Sequence, residues 1–157
     1  MTLFAKVRGL MGPALALHVL AAVIWVGGMF FAYMCLRPAT TGLDMPVRLR
    51  LWAGVLSRFF RFVWMSAAVL LVTGFWMFFN GARGLHVFIM LGLGVVMMLL
   101  AAHVYFAPYK KLKRFVGMSN WPEAAKQMNQ IRLFIAVNLA LGLVLVAIAA
   151  GGRYGFN

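Results

Sequence analysis

Acidic side chains are almost missing from this chain. Of its 157 residues only Asp44 and Glu123 carry a carboxylate, against fifteen Lys and Arg, so the formal net charge is +13. Neither carboxylate falls in a long apolar run, which excludes an Asp or Glu proton relay through a membrane. There is a single cysteine, Cys35. One thiol excludes an intramolecular disulfide and any CxxC metal or redox site. Nothing matches a hydrolytic triad or a phosphate-binding loop, and no catalytic residue is assigned.

What fills the chain instead is apolar. Hydrophobic residues make up 65% of it and the mean hydropathy is +0.95, well above the 45–50% apolar usage of soluble domains. The expectation is an all-α fold: an integral membrane four-helix bundle with short interfacial helices. It forms one transmembrane domain over 1–157, with spans at about 13–35, 62–80, 85–106 and 131–150. A basic balance can mean nucleic acid. Here the cations sit between apolar runs, so the partner they imply is the lipid bilayer and its anionic headgroups, not nucleic acid.

Residues 1–12 form a basic lead, read as retained because the apolar run behind it is too long for a signal peptide. Proline stops the first span at Arg37-Pro38. The stretch 47–62, apolar residues interleaved with arginines, suits an interfacial helix running into span two. There Ser66 and Thr73 satisfy themselves on their own backbone. Gly81 to Gly84 turns spans two and three into a hairpin. Pro108 closes span three, and 115–130 reads as a short surface helix capped by Asn120, with Pro122 and Glu123 in its first turn. The loop after span one holds Arg37, Arg48, Arg50, Arg58 and Arg61; the loop after span three holds Lys110, Lys111, Lys113, Arg114, Lys126 and Arg132. The opposite side has Lys6, Arg8, Arg83 and Arg153. That imbalance predicts cytoplasmic loops and both termini on the periplasmic side of the bacterial inner membrane.

Span one organises the rest. On a 3.6-residue period Ala14, His18, Ala21, Ala22, Trp25, Gly28, Met29 and Ala32 share one face, mostly of small residues. His18 is the only ionisable group in that span, and such a group marks a candidate functional site. At 1.5 Å per residue it lies about 8 Å past Pro13. His86 opens span three near the same side, whereas His103 lies about 25 Å farther along the axis. Two histidines at one level suit haem b, with His18 and His86 on the iron, Trp25 shaping the pocket and Arg83 pairing a propionate. They equally suit two imidazoles bonded to backbone or headgroups. Copper is the other chemistry, since thioethers with imidazole select Cu(I). Its ligands would be His18, His86, Met77 and Met90, although methionine is also a flexible core filler. His103 marks a second, inner-facing site or simply an interfacial histidine beside the basic cluster.

Three stretches resemble the copper-resistance protein D (CopD) family, in particular its short four-span bacterial members: LHVLAAVIWVGGMFFAYMCLRP (17–38), RFFRFVWMSAAVLLVTGFWMFF (58–79) and IRLFIAVNLALGLVLVAIAAGGRY (131–154). The fold is similar to that of the HemJ-type protoporphyrinogen oxidases, whose first-span histidine and tryptophan match His18 and Trp25. That resemblance implies haem binding at His18. Phe88 stands where that family has lysine, so haem binding and electron exchange with a membrane quinone or quinol carry over, and protoporphyrinogen oxidation does not. Three functions follow as expectations: a haem-dependent membrane oxidoreductase, a copper-binding or copper-transport protein, and a non-catalytic subunit of a larger membrane complex. Transport by four spans calls for a homo-oligomer.

Overall fold

The computed structural model describes residues 3–82 and 84–155, with side chains from 9 to 152. Arg83 and the side chain of Arg153 lie outside the described residues. The regular elements are helices: α1 (Leu3–Phe30), α2 (Arg37–Ala39), α3 (Met45–Phe79), α4 (Leu85–Val104), α5 (Lys110–Gly117) and α6 (Trp121–Gly155). Four stretches are long and apolar enough to cross a membrane: Gly9–Ala39, Met45–Phe79, Leu85–Gly117 and Trp121–Gly152. The chain is an all-α, multi-pass membrane bundle.

The prolines do not end the helices as expected. Pro13 lies inside α1, which begins ahead of it. After α1 the chain passes through a π-helical turn, Phe31–Leu36, and straight into α2, which holds Pro38. After α4 a second π turn, Tyr105–Tyr109, contains Pro108 and runs into α5. A proline lacks the N–H and its ring collides with the carbonyl four residues back. A π turn shifts those carbonyls out of register, so the chain stays helical through the proline.

The stretch 47–62 does run into span two, as the first half of one continuous helix, α3. The polar stretch 115–130 is divided: its first residues end α5, and from Trp121 onward it is continuous with α6. Asn120 does cap that start, its Oδ1 accepting from the Glu123 N–H at 3.4 Å. Helices α3 and α6 have 35 residues each, about 52 Å of rise. That exceeds a hydrocarbon core by roughly 20 Å, so both project beyond it at the arginine-rich end.

The four long helices form a ring in the order α1, α3, α4, α6. The closest seams are α1 with α3 and α4 with α6. Helices α3 and α6 also meet across the middle, whereas among the described residues the α1 and α4 backbones do not pack on each other. Glycine makes the first seam close. A Cβ on Gly28 would lie 2.5 Å from the Phe59 ring, so this position needs glycine for the ring to sit against the backbone. The projecting basic end has the densest core: Leu49, Trp52, Leu56, Leu112, Ala124, Met128 and Ile131 are buried there. Trp52 donates its indole N–H to the Thr40 hydroxyl at 3.2 Å, and Thr40 donates in turn to the Arg37 carbonyl. These bonds tie the loop between α2 and α3 to the bundle.

Candidate functional site

The predicted face of α1 is the face that packs. Ala21, Trp25, Met29 and Ala32 are buried, and Ala14, His18, Ala22 and Gly28 are half-buried. His18 turns toward α3. Its Nδ1 lies 2.8 Å from the Thr73 hydroxyl oxygen. That hydroxyl already donates its proton to the Val69 carbonyl at 2.6 Å. Thr73 can therefore only accept from the ring, so the neutral imidazole carries its proton on Nδ1 and keeps the lone pair on Nε2. The next residue, Gly74, makes room: a Cβ there would stand 3.2 Å from the ring's Cε1. Thr73-Gly74 is a seat that fixes both the orientation and the tautomer of His18.

His86 is held elsewhere. It sits in the first turn of α4, its ring folded against Gly84 and its Cβ against Gly152 of α6. His18 therefore belongs to the α1–α3 seam and His86 to the α4–α6 seam. The levels differ as well. Thr73 is six residues before the end of α3, while His86 is the second residue of α4, a depth difference of about 8 Å. A haem iron between two imidazoles needs both rings to converge on one point. In this packing the two imidazoles sit in different seams and at levels about 8 Å apart.

Other candidates sort by seam. Met77 lies one turn beyond Thr73 on the same face of α3, near Ala14 in the antiparallel register that the His18–Thr73 bond sets. Met90 lies one turn beyond His86 on α4, a face that continues to Met97, whose methyl packs at Gly142 of α6. The four residues expected as one copper set thus divide between the helices, Met77 one turn from the Thr73 seat of His18 on α3 and Met90 one turn from His86 on α4. Trp25 is two turns deeper than His18 and does not flank it. It lines a central cavity with Met29, Phe59, Phe60 and Asn138. His103 is exposed, its ring edge-on to Phe134 at 5.0 Å. Tyr105 packs edge-on against Phe60 and Trp64 of α3. Among the described residues, no three His, Cys, Asp or Glu side chains group to hold a metal.

One feature of the core escapes periodicity. Asn138, the strongly polar residue of the last span, is 4% exposed and donates its Nδ2–H to the Met29 sulfur at 3.7 Å. Its Oδ1 is buried with no partner. An unpaired buried amide oxygen is costly, and here it borders a small central cavity together with the thioether. The sequence marks Asn138 as unusual but gives no means of pairing it with Met29, since the two lie on different helices.

Fold and site together define a four-span helical membrane protein with a seated imidazole near one end and a thioether–amide pair in its centre. The family model described as Copper resistance protein D matches residues 53–151, and the chain belongs to that family. The match covers most of α3, all of α4 and α5 and most of α6; His18 lies ahead of it. No curated protein and no solved structure matches the chain.

Proposed function

We propose that this protein binds Cu(I) within the bilayer as a copper-handling member of its family. The observation that carries the reading is the Nδ1–H···Thr73 bond of His18, which leaves its Nε2 lone pair free one helical turn from the level of Met77 on α3. Imidazole and thioether are donors for soft Cu(I). The one carboxylate in the four long stretches, Glu123, lies in the first turn of α6 and is paired with Lys126, so a hard divalent ion has no comparable set. By the distribution of Lys and Arg, this seam opens toward the periplasmic side of the inner membrane and the arginine-rich end faces the cytoplasm. Cu(I) taken at His18 and Met77 has its next soft donor at Met29, eleven residues or about 16 Å deeper. There Asn138 turns its amide toward the same cavity. His86 with Met90 repeats the outer pair in the second seam.

Haem b with quinone-linked electron transfer has no comparable support, since His18 and His86 sit in different seams. The test is one preparation: detergent-purified protein, titrated anaerobically with Cu(I) in bicinchoninate buffers, beside His18→Ala. Tight Cu(I) binding by the wild type, weakened at least tenfold in the variant, is expected. No Cu(I) binding, or equal binding by both, overturns the reading. A Soret band that disappears in His18→Ala would put haem in place of copper.

A further inference from the structure

Three guanidinium groups converge at the arginine-rich end without an acid among them. Arg37 follows the first π turn, Arg48 lies in the first turn of α3, and Arg132 lies on α6. Arg37 and Arg132 line one recess, and Arg37 and Arg48 both lie within electrostatic reach of Arg132. Each is held by weak or neutral contacts. Arg37 lies over the Tyr33 ring at 4.9 Å. Arg48 donates to the Thr41 carbonyl, and Arg132 donates to the Asn129 side-chain oxygen, both at 3.4 Å. The Nε atoms of Arg48 and Arg132 are screened from solvent and have no partner. The one carboxylate ion pair among the described residues is Glu123 with Lys126, elsewhere on α6.

Three like charges at a boundary of low dielectric repel one another. An arginine cluster of this kind is stabilised by an anion that accepts several N–H bonds at once, and a phosphate does so with matching geometry. Beside the arginines is a shallow recess, lined by Arg37 and Arg132 and floored by Ala32, Trp52, Met128 and Ile135. A cationic rim over an apolar floor fits an amphiphile better than a free ion. Phe31 and Met34, exposed on the neighbouring turn of the same span, continue the apolar surface toward the bilayer.

We propose that Arg37, Arg48 and Arg132 form a binding site for the phosphate of one anionic phospholipid, with the glycerol end of the lipid over the recess. The site locks the ends of α1, α3 and α6 together at the membrane face.

The test uses full-length protein in dodecyl maltoside, with native mass spectrometry and thermal unfolding. The probes are phosphatidylglycerol, phosphatidylcholine and inorganic phosphate. The expected result is retention of one phosphatidylglycerol in preference to phosphatidylcholine, with a rise in Tm that falls off with salt. Arg37→Gln/Arg132→Gln should weaken that retention at least tenfold. Lys111→Gln/Lys113→Gln removes the same charge from the exposed face of α5 and should change it less than twofold. Equal losses in both double variants would mean a diffuse field and overturn the site. Stabilisation by inorganic phosphate equal to that by the lipid would overturn the lipid as occupant. If the arginine double variant does not fold, Arg37→Gln alone decides, since that side chain lies over a ring at the protein's rim. Unchanged retention in a folded Arg37→Gln would overturn the proposal.

Discussion

Thr73→Val is the sharpest probe of how His18 is prepared. Valine keeps the shape of threonine, so the seam stays filled, but the acceptor for Nδ1–H is gone. The ring then loses its fixed orientation and its reason to hold the proton on Nδ1. In the other tautomer the proton sits on Nε2, the atom that must donate to the metal. Removing such an outer partner of a ligating histidine costs 10–100-fold in metal affinity, about 1.4–2.7 kcal/mol. The lost hydrogen bond itself should lower stability by only about 1 kcal/mol. Competition for Cu(I) with bicinchoninate reads the first effect, and thermal unfolding reads the second. Thr73→Ser keeps the acceptor and should stay within a few-fold of wild type. The reasoning fails if Thr73→Val binds Cu(I) as the wild type does while His18→Ala does not. Nε2 would then be available without the seat, and the 2.8 Å bond would serve packing alone.

Gly74→Val should push the His18 ring away, because its first added carbon already meets Cε1 at 3.2 Å; Cu(I) affinity falls in the same competition assay. Gly28→Ala should destabilise by about 1–3 kcal/mol, seen in thermal unfolding, since the Phe59 ring occupies the place of the new methyl. Thr40→Val leaves the buried Trp52 indole N–H without its acceptor, a loss of about 1–3 kcal/mol in the same measurement. Asn138→Leu removes an amide with one orphaned oxygen. Its Tm should hold or rise, and a clear fall would show that the amide supports the core by more than its bond to Met29.

Much of the fold was legible because a membrane span announces itself by length and apolarity, and because the buried face of α1 follows the helical period. Trp25, Met29 and Ala32 are buried where that period put them. The helix ends were less legible. Pro38 and Pro108 read as stops, since a proline disturbs an α-helix, but one π turn at each place absorbs the disturbance. Periodicity gives the face of a helix and not the identity of its neighbour. Thr73 looked self-satisfied on its own backbone, and it does bond Val69. Nothing in its own segment reveals that its remaining lone pair takes a proton from a residue far away in sequence.

The seating of the two histidines in different seams has a structural origin that joins these points. Leu17-His18-Val19 opens the packed face of α1, and Leu85-His86-Val87 opens α4. Each of these helices runs toward the arginine-rich end and leaves its α-helical course in a π turn beside a proline. Each is paired with a long helix that brings a glycine against the histidine, Gly74 in one seam and Gly152 in the other. The two hairpins are variations on one design, set side by side in the same direction across the membrane. His86 stands one turn farther from Tyr105 than His18 does from Tyr33, which accounts for much of the difference in level. Histidines in equivalent places of two such units face their own partners rather than each other. Two similar units can then divide the work. Only His18 has a hydrogen bond that fixes its tautomer, and only the first helix also carries Met29 to the central amide.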